Sequence, residues 1–258
     1  MDATELEAAS KYFKCVSLLT DINEGDFVIP RYSLYPFALD QTREILNNGA
    51  SLINSYEQHL YIADLQNYYP DLEYRTPETW FRLEDVPNDG AFVLKGETNS
   101  KKSNWARNMF AADKKAAIEV HSRLCDDALI GQQKIYVRRY IPLVTYANGI
   151  GGVPITKEFR FFVAYGQVLT GAYYWQNYVD DLEVAPSVDE VPIQLLHDVI
   201  DQVGDDSNFY VIDVAQTQQG DWIVIELNDG QQSGLSCIEP DILYSRLKDV
   251  LNKKFPER

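Results

Sequence analysis

The stretch Trp222-Ile223-Val224-Ile225-Glu226-Leu227-Asn228-Asp229-Gly230 decides how this chain is read. An apolar run ends by presenting a carboxylate and an amide oxygen two residues apart, and alternation along a strand sends both to one face. Upstream, Phe209-Tyr210-Val211-Ile212-Asp213-Val214 presents a second acid in similar apolar surroundings, and the polar segment from Gln216 to Asp221 between the two runs reads as a hairpin turn. Two acids and an amide at the end of a hairpin make an oxygen-rich, incomplete shell. Such shells suit hard cations, and magnesium with nucleotide phosphates is their usual occupant. The competing reading is an edge hairpin whose acids simply face water.

Composition narrows the choice. The chain has 258 residues, an apolar fraction of 45% and a net charge of -16. It is long enough for a full core, as one large unit or as two to three small lobes around a cleft. The negative charge argues against a sequence-independent grip on nucleic acid, which depends on Lys and Arg neutralising phosphates. No apolar run is long enough to cross a membrane, and the polar start Met1-Asp2-Ala3-Thr4-Glu5 has no signal-peptide pattern, so the expected location is cytoplasmic. Cys15, Cys125 and Cys237 are scattered without metal-ligand spacing and are expected to be buried as small apolar residues. His59 and His197 fall in helix-like patterns where surface placement is expected.

Working outward along the chain, Phe27-Val28-Ile29-Pro30 and Ala50 to Asn54 read as strands, with a helix from Phe37 to Asn48 between them. A helix through His59 to Tyr68 completes a β-α-β-α opening. Thr76 and Pro77 read as the N-cap and first position of a further helix. The strand Ala91 to Lys95 empties into a small, polar, cationic run from Gly96 to Asn104, and a helix spans Ala111 to Leu129. A strand from Lys134 to Leu143 follows, then the glycine-rich segment Asn148 to Gly152. Glu158 to Val163 and Val168 to Trp175 form an expected hairpin, and helices are expected over Val191 to Val203 and Ile238 to Leu251. Tyr173, Tyr174 and Tyr178, among 17 tyrosines, are read as packing residues, with a substrate wall as the alternative.

In order along the chain stand Lys95 at a strand end, a cationic loop, Arg139-Tyr140-Ile141, the pair Glu158 and Arg160, and then Asp213, Glu226 and Asn228. That order resembles the ATP-grasp superfamily over about residues 75 to 251. Its most specific parts are Val224-Ile225-Glu226-Leu227-Asn228 and Glu158-Phe159-Arg160-Phe161-Phe162-Val163. Within the superfamily the chain looks most like the RimK-related clade of bacteria and phages, kin to tubulin-tyrosine ligases and to a cell-division-cycle assembly factor. Val28 to Ser33 and Asn54-Ser55 are similar to that clade's N-terminal lobe. The resemblance implies an α/β (α+β) ATP-grasp fold: an N-terminal α/β lobe over 1–75, a first grasp lobe over 76–140 and a second, with the metal site, over 141–258.

What the resemblance implies for the site can be stated residue by residue. Phosphoryl transfer needs charge neutralisation and positioning more than covalent help. Lys95 would meet the α- and β-phosphates, and Lys101, Lys102 and Ser103 could close over the γ-phosphate. The backbone of Tyr140 and Ile141, next to Arg139, would read the adenine edge. Asp213, Glu226 and Asn228 would bind magnesium, while Arg160 would stabilise an acyl-phosphate or its adduct. Glu158 is a third metal ligand, a substrate contact or a residue that orients Arg160. Arg31 and Ser33 are candidates for binding a carboxylate or phosphate on the acceptor. Relatives of the RimK type carry a lysine where Tyr61 to Gln66 offers none, and Arg75 is the candidate replacement. The implied activity is an ADP-forming, ATP-dependent carboxylate-amine ligase acting through an acyl-phosphate on a small-molecule, peptide or protein acceptor. The alternative is an ATP-binding assembly factor or regulator that catalyses no ligation.

Overall fold

The computed structural model describes residues 1–31, 38–98, 100–180 and 182–256. The chain opens with helix α1 (Ala3–Ser10), strand β1 (Phe27–Val28), α2 (Ala38–Asn47) and β2 (Ser51–Leu52), with β1 and β2 paired in parallel. Helix α1 goes beyond the sequence expectation, because its apolar positions are small alanines. Asp2 caps it by accepting the Glu5 N–H at 2.8 Å. The expected helix through His59 is two helices, α3 (Tyr56–Ala63) and α4 (Leu65–Leu72). Asp64 breaks it: extended backbone there lets its carboxylate cap Gln66 while also accepting from Tyr136 and Lys134. No helix begins at Thr76. Its hydroxyl instead donates to the Val224 carbonyl at 2.9 Å, and the chain continues into strand β3 (Thr79–Trp80).

Next come β4 (Phe92–Gly96), α5 (Trp105–Asn108), β5 (Phe110–Ala111), α6 (Lys114–Cys125) and β6 (Ile135–Arg139). They form a four-stranded antiparallel sheet in the order β3-β6-β4-β5. Ala117, Val120 and Leu124, spaced along one face of α6, pack on Phe92, Leu94 and Val137, so one face of this sheet is closed. The glycine-rich segment connects a short hairpin, β7 (Thr145–Asn148) with β8 (Pro154–Thr156).

The second four-stranded sheet carries the opening stretch. It contains β9 (Glu158–Ala164), β10 (Gln167–Tyr173), β11 (Phe209–Gln216) and β12 (Trp222–Asp229), in the antiparallel order β10-β9-β11-β12. The β9–β10 turn places Tyr165 (φ 47) and Gly166 (φ 71) in the left-handed region, the geometry of a tight hairpin whose twist matches its strands. Both faces of this sheet are covered. Phe159, Phe161 and Val163 pack with α4 and with α7 (Ile193–Val203), while Phe162 and Ala164 pack with α1 and α8 (Pro240–Lys254). This explains the near-continuous apolar runs of β9 and β11.

Strand β12 lies at the sheet edge, but the edge does not face water. Tyr68 bonds both the N–H and the carbonyl of Leu227, Val224 N–H donates to the Arg75 carbonyl, and Arg138 donates to the Ile225 carbonyl at 2.6 Å. Among the described residues no helix is long and apolar enough to cross a membrane. Cys15 and Cys125 are exposed and Cys237 is half-buried, contrary to the expectation of burial. His59 is buried, 2.9 Å from Asp229, rather than on the surface.

Candidate active site

The register of the second sheet builds the site. Asp213 on the central strand β11 pairs with Arg160 of β9 on one side and with Glu226 of β12 on the other. Directly paired residues share a face, so Arg160, Asp213 and Glu226 form one row across three strands. One row further on, Val211 pairs with Asn228, which puts Asn228 on the same face. A bulge in β12 opposite the Asp213/Val214 step leaves Ile225 without a ladder partner. The extra residue changes the parity of the strand. Ile223 and Ile225 before it therefore face the cleft together with Glu226 and Asn228 after it, while Val224 and Leu227 both point into the core. Arg138, from the other sheet, satisfies the carbonyl of the bulged residue and also donates to Thr76 at 2.7 Å.

Two adjoining cavities lie against this row. The first, about 140 Å3, has walls from Val93, Met109, Leu143, Val153 and Ile223 with Trp105 at its side. The second, about 390 Å3, is polar and includes Thr98, Arg160, Tyr174, Asn228 and Ser233. Lys95, Ser100, Lys102 and Glu226 line both. An apolar slot opening into a cation-rich chamber is a shape that accepts a flat heterocycle at one end and an anion at the other.

The charges are closely coupled. Arg160 donates to both oxygens of Asp213, at 2.8 and 2.7 Å, and to the Gly234 carbonyl at 2.9 Å. Burial opposes the Arg160 charge, but the Asp213 carboxylate outweighs it and raises the guanidinium pKa. Lys95 pairs with Glu226 across the boundary between the sheets. Burial would raise the Glu226 pKa, yet Lys95 and Lys102 hold it well below the usual carboxylate range. Glu158, 5% exposed, has no such pairing: burial pushes it up to about 7, with Asp213 and Glu226 adding to the rise and Lys102 opposing it.

Lys95, Lys102, Glu158, Arg160, Glu226 and Asn228 thus converge on the cleft, as does the wall formed by Arg139, Tyr140 and Ile141. The Tyr140 N–H already donates to the Ala91 carbonyl, and the Arg139 guanidinium turns to the Asp89 carbonyl and the Trp80 ring. Other expected site residues stand elsewhere. Arg31 is a structural clamp, because its guanidinium is buried against Glu5, Tyr244 and the carbonyls of Gly230, Gln231 and Ser233. Lys101 pairs with Asp127 at 2.7 Å and Ser103 is exposed, so neither lines a cavity. Arg75 is held by Asp198 and does not replace the absent lysine. Ser33 lies outside the described residues. Tyr174, assigned to packing by composition, is instead a cleft residue.

The expected metal set is only partly assembled. Among the described residues no group of three or more His, Cys, Asp or Glu converges on one point. Both Asp213 oxygens accept from Arg160, so as arranged Asp213 is the partner of that arginine and not a metal ligand. Glu226 and Asn228 do fit a hard cation. Asn228 spends its amide nitrogen on Asp213, which leaves its oxygen, and both side chains line the polar cavity.

A sequence profile for an ATP-grasp domain, family 3 of its clade, matches residues 83–247, more than half of the chain. The chain belongs to this ATP-grasp family. No curated protein matches it. Among solved structures, this ATP-grasp chain is similar to a RimK domain ATP-grasp protein from Sphaerobacter thermophilus, with 16% identity over 85% of this chain and 80% of that one and a TM-score of 0.55. It is also similar to the D-cycloserine synthetase DcsG, at 12% identity over 96% and 93% of the two chains with a TM-score of 0.58. The ATP-grasp ligase PsnB, solved with a precursor variant, Mg and ADP, is similar at 12% identity with a TM-score of 0.51. This chain is covered over 83% of its length in that match and spans 64% of PsnB. At these identities the likeness establishes the ATP-grasp fold.

Proposed function

We propose that this ATP-grasp chain is an ATP-dependent carboxylate-amine ligase that forms an amide bond through an acyl-phosphate. The observation that carries this reading is the shared wall of Lys95, Lys102 and Glu226 between an apolar slot and a polar chamber. A purine fits the slot, where the Tyr140–Ile141 backbone forms part of the wall, and the triphosphate then runs over the shared wall into the chamber. Lys95 and Lys102 neutralise phosphate charge there, which is most of what phosphoryl transfer asks of a protein. Glu226 and Asn228 would hold magnesium, which when bound supplies further charge neutralisation at the phosphates.

In the first step a substrate carboxylate oxygen bonds to the γ-phosphorus and the bond to the β-phosphate oxygen breaks, releasing ADP. An amine then attacks the acyl carbon. The carbon–oxygen bond to phosphate breaks, inorganic phosphate leaves, and the amine gives up a proton to yield the amide. Arg160, fixed by two bonds to Asp213, is a preorganised cation for the charge on the acyl oxygen. A cytoplasmic location, where ATP is supplied, belongs to the same reading.

The test is to incubate the purified protein with magnesium, ATP and pools of amino acids and peptides, following ADP and phosphate by enzymatic assay and new amides by mass spectrometry. Acceptor-dependent ADP release with a matching amide is expected. Nucleotide binding without turnover across broad pools would overturn the ligase reading in favour of an assembly factor or regulator.

A further inference from the structure

Tyr174 directly follows β10, where the chain leaves the second sheet, and its ring stands between two cations. The Lys102 Nζ lies 4.2 Å from the ring centroid and the Arg160 Cζ 4.8 Å. Lys102 comes from the opposite side of the cleft, in the turn Lys102–Asn104, and donates an N–H to the phenol oxygen. That turn is held in place by Gly151: at φ +67, a Cβ there would lie 2.3 Å from the Ser103 carbonyl oxygen, so only glycine lets the two backbones meet. The glycine run therefore seats the lysine turn.

An ammonium group has three donors and no acceptor, so in the Lys102 contact the Tyr174 oxygen is the acceptor. Its own proton must point elsewhere. Among the described residues that proton has no acceptor. Lys95 is paired with Glu226 and Arg160 with Asp213, whereas Lys102 has no carboxylate within ion-pair distance among the described residues. Burial raises the Tyr174 pKa, and the opposing pull of Lys102 does not reverse the rise, so the phenol keeps its proton. A hydroxyl donor and an unpaired ammonium side by side in a polar chamber suit an anion with many lone pairs.

We propose that Tyr174 and Lys102 act as one unit that binds the terminal phosphoryl group of a nucleoside triphosphate, the phenol O–H donating to one of its oxygens. This rests on the reading of the cleft as a nucleotide site. The pair lines the chamber beyond the shared wall, so it should touch the terminal phosphate of a triphosphate and not a diphosphate.

Calorimetry with magnesium and either a nonhydrolysable ATP analogue or ADP tests this on the full chain, with thermal melts to confirm folding. Tyr174→Phe, which keeps the ring, is expected to weaken the triphosphate analogue about tenfold and ADP by less than about twofold, the loss typical of one hydrogen bond to a charged group. Lys102→Met should lose the same preference, and the double variant should be no worse than the poorer single one. Equal losses for both nucleotides, no loss, or additive effects would overturn the assignment. A wild-type protein that bound neither nucleotide would instead overturn the nucleotide reading of the cleft.

Discussion

In the sheet β10-β9-β11-β12, Arg160 and Asp213 pair with each other inside the sheet, both of them buried. In β3-β6-β4-β5, Lys95 instead reaches out of its own sheet to Glu226 of the other, and Lys102, from the loop after it, reaches to Tyr174. The first arrangement is scaffold, because a buried ion pair broken on one side leaves a charge that nothing else can solvate. The second arrangement can be exchanged. Its members line cavities, and a phosphate or a cation arriving between the sheets can take over either half of each contact.

Scaffold and exchangeable contact should part most clearly at Asp213. Asp213→Ala should destabilise the fold by about 3–5 kcal/mol, measured by chemical denaturation, since it strands a buried guanidinium. A loss below about 1 kcal/mol, the size expected of an exposed pair, would remove Arg160 and Asp213 from the scaffold.

Glu158 tests the same distinction through pH. Its folded pKa is pushed up to about 7, above the ordinary 4.5, so the folded state holds a proton that the unfolded state has released between those values. Stability from this group is therefore full below about pH 4.5 and falls as pH rises towards 7, by up to about 3 kcal/mol. Glu158→Gln should flatten that slope in denaturation curves taken from pH 5 to 8. Glu226 has the opposite sign: its pKa is depressed, so its contribution is present above the ordinary carboxylate range and is lost only in stronger acid.

For the exchangeable contacts the expected loss is functional. Glu226→Gln should leave the melting temperature nearly unchanged while lowering acceptor-dependent ADP formation about 100-fold, the size of effect seen when one preorganised electrostatic contact is removed. A large drop in stability with normal turnover would reverse the assignment. At the small end, Lys101→Ala should change neither stability nor nucleotide affinity measurably, because its pair with Asp127 lies outside both cavities.

Much of the site is legible in the sequence because strands make simple patterns. The hairpin of β11 and β12, the hairpin of β9 and β10, and the strand ending at Lys95 follow from apolar runs and turn residues. These place Lys95, Arg160, Asp213, Glu226 and Asn228 at the right ends of their elements. Arg31 misleads because a strand-end arginine looks the same in sequence whether it faces a cleft or acceptors of its own chain. Tyr174 escapes for a related reason: aromatic residues at strand ends are usually packing, and only its position between Lys102 and Arg160 distinguishes it.

That Glu226 and Asn228 share a face, with an acid-bearing strand beside them, is written in the amino-acid order alone, because side-chain alternation is a local property of the backbone. What else shares that face is not. A bulge at Ile225, stabilised by Arg138 some 87 residues away in sequence, shifts the strand's parity so that apolar slot and polar row lie side by side. The pairing of Asp213 with Arg160 is likewise set by register between strands. Contacts of that range depend on how the two sheets meet, and no local pattern encodes them.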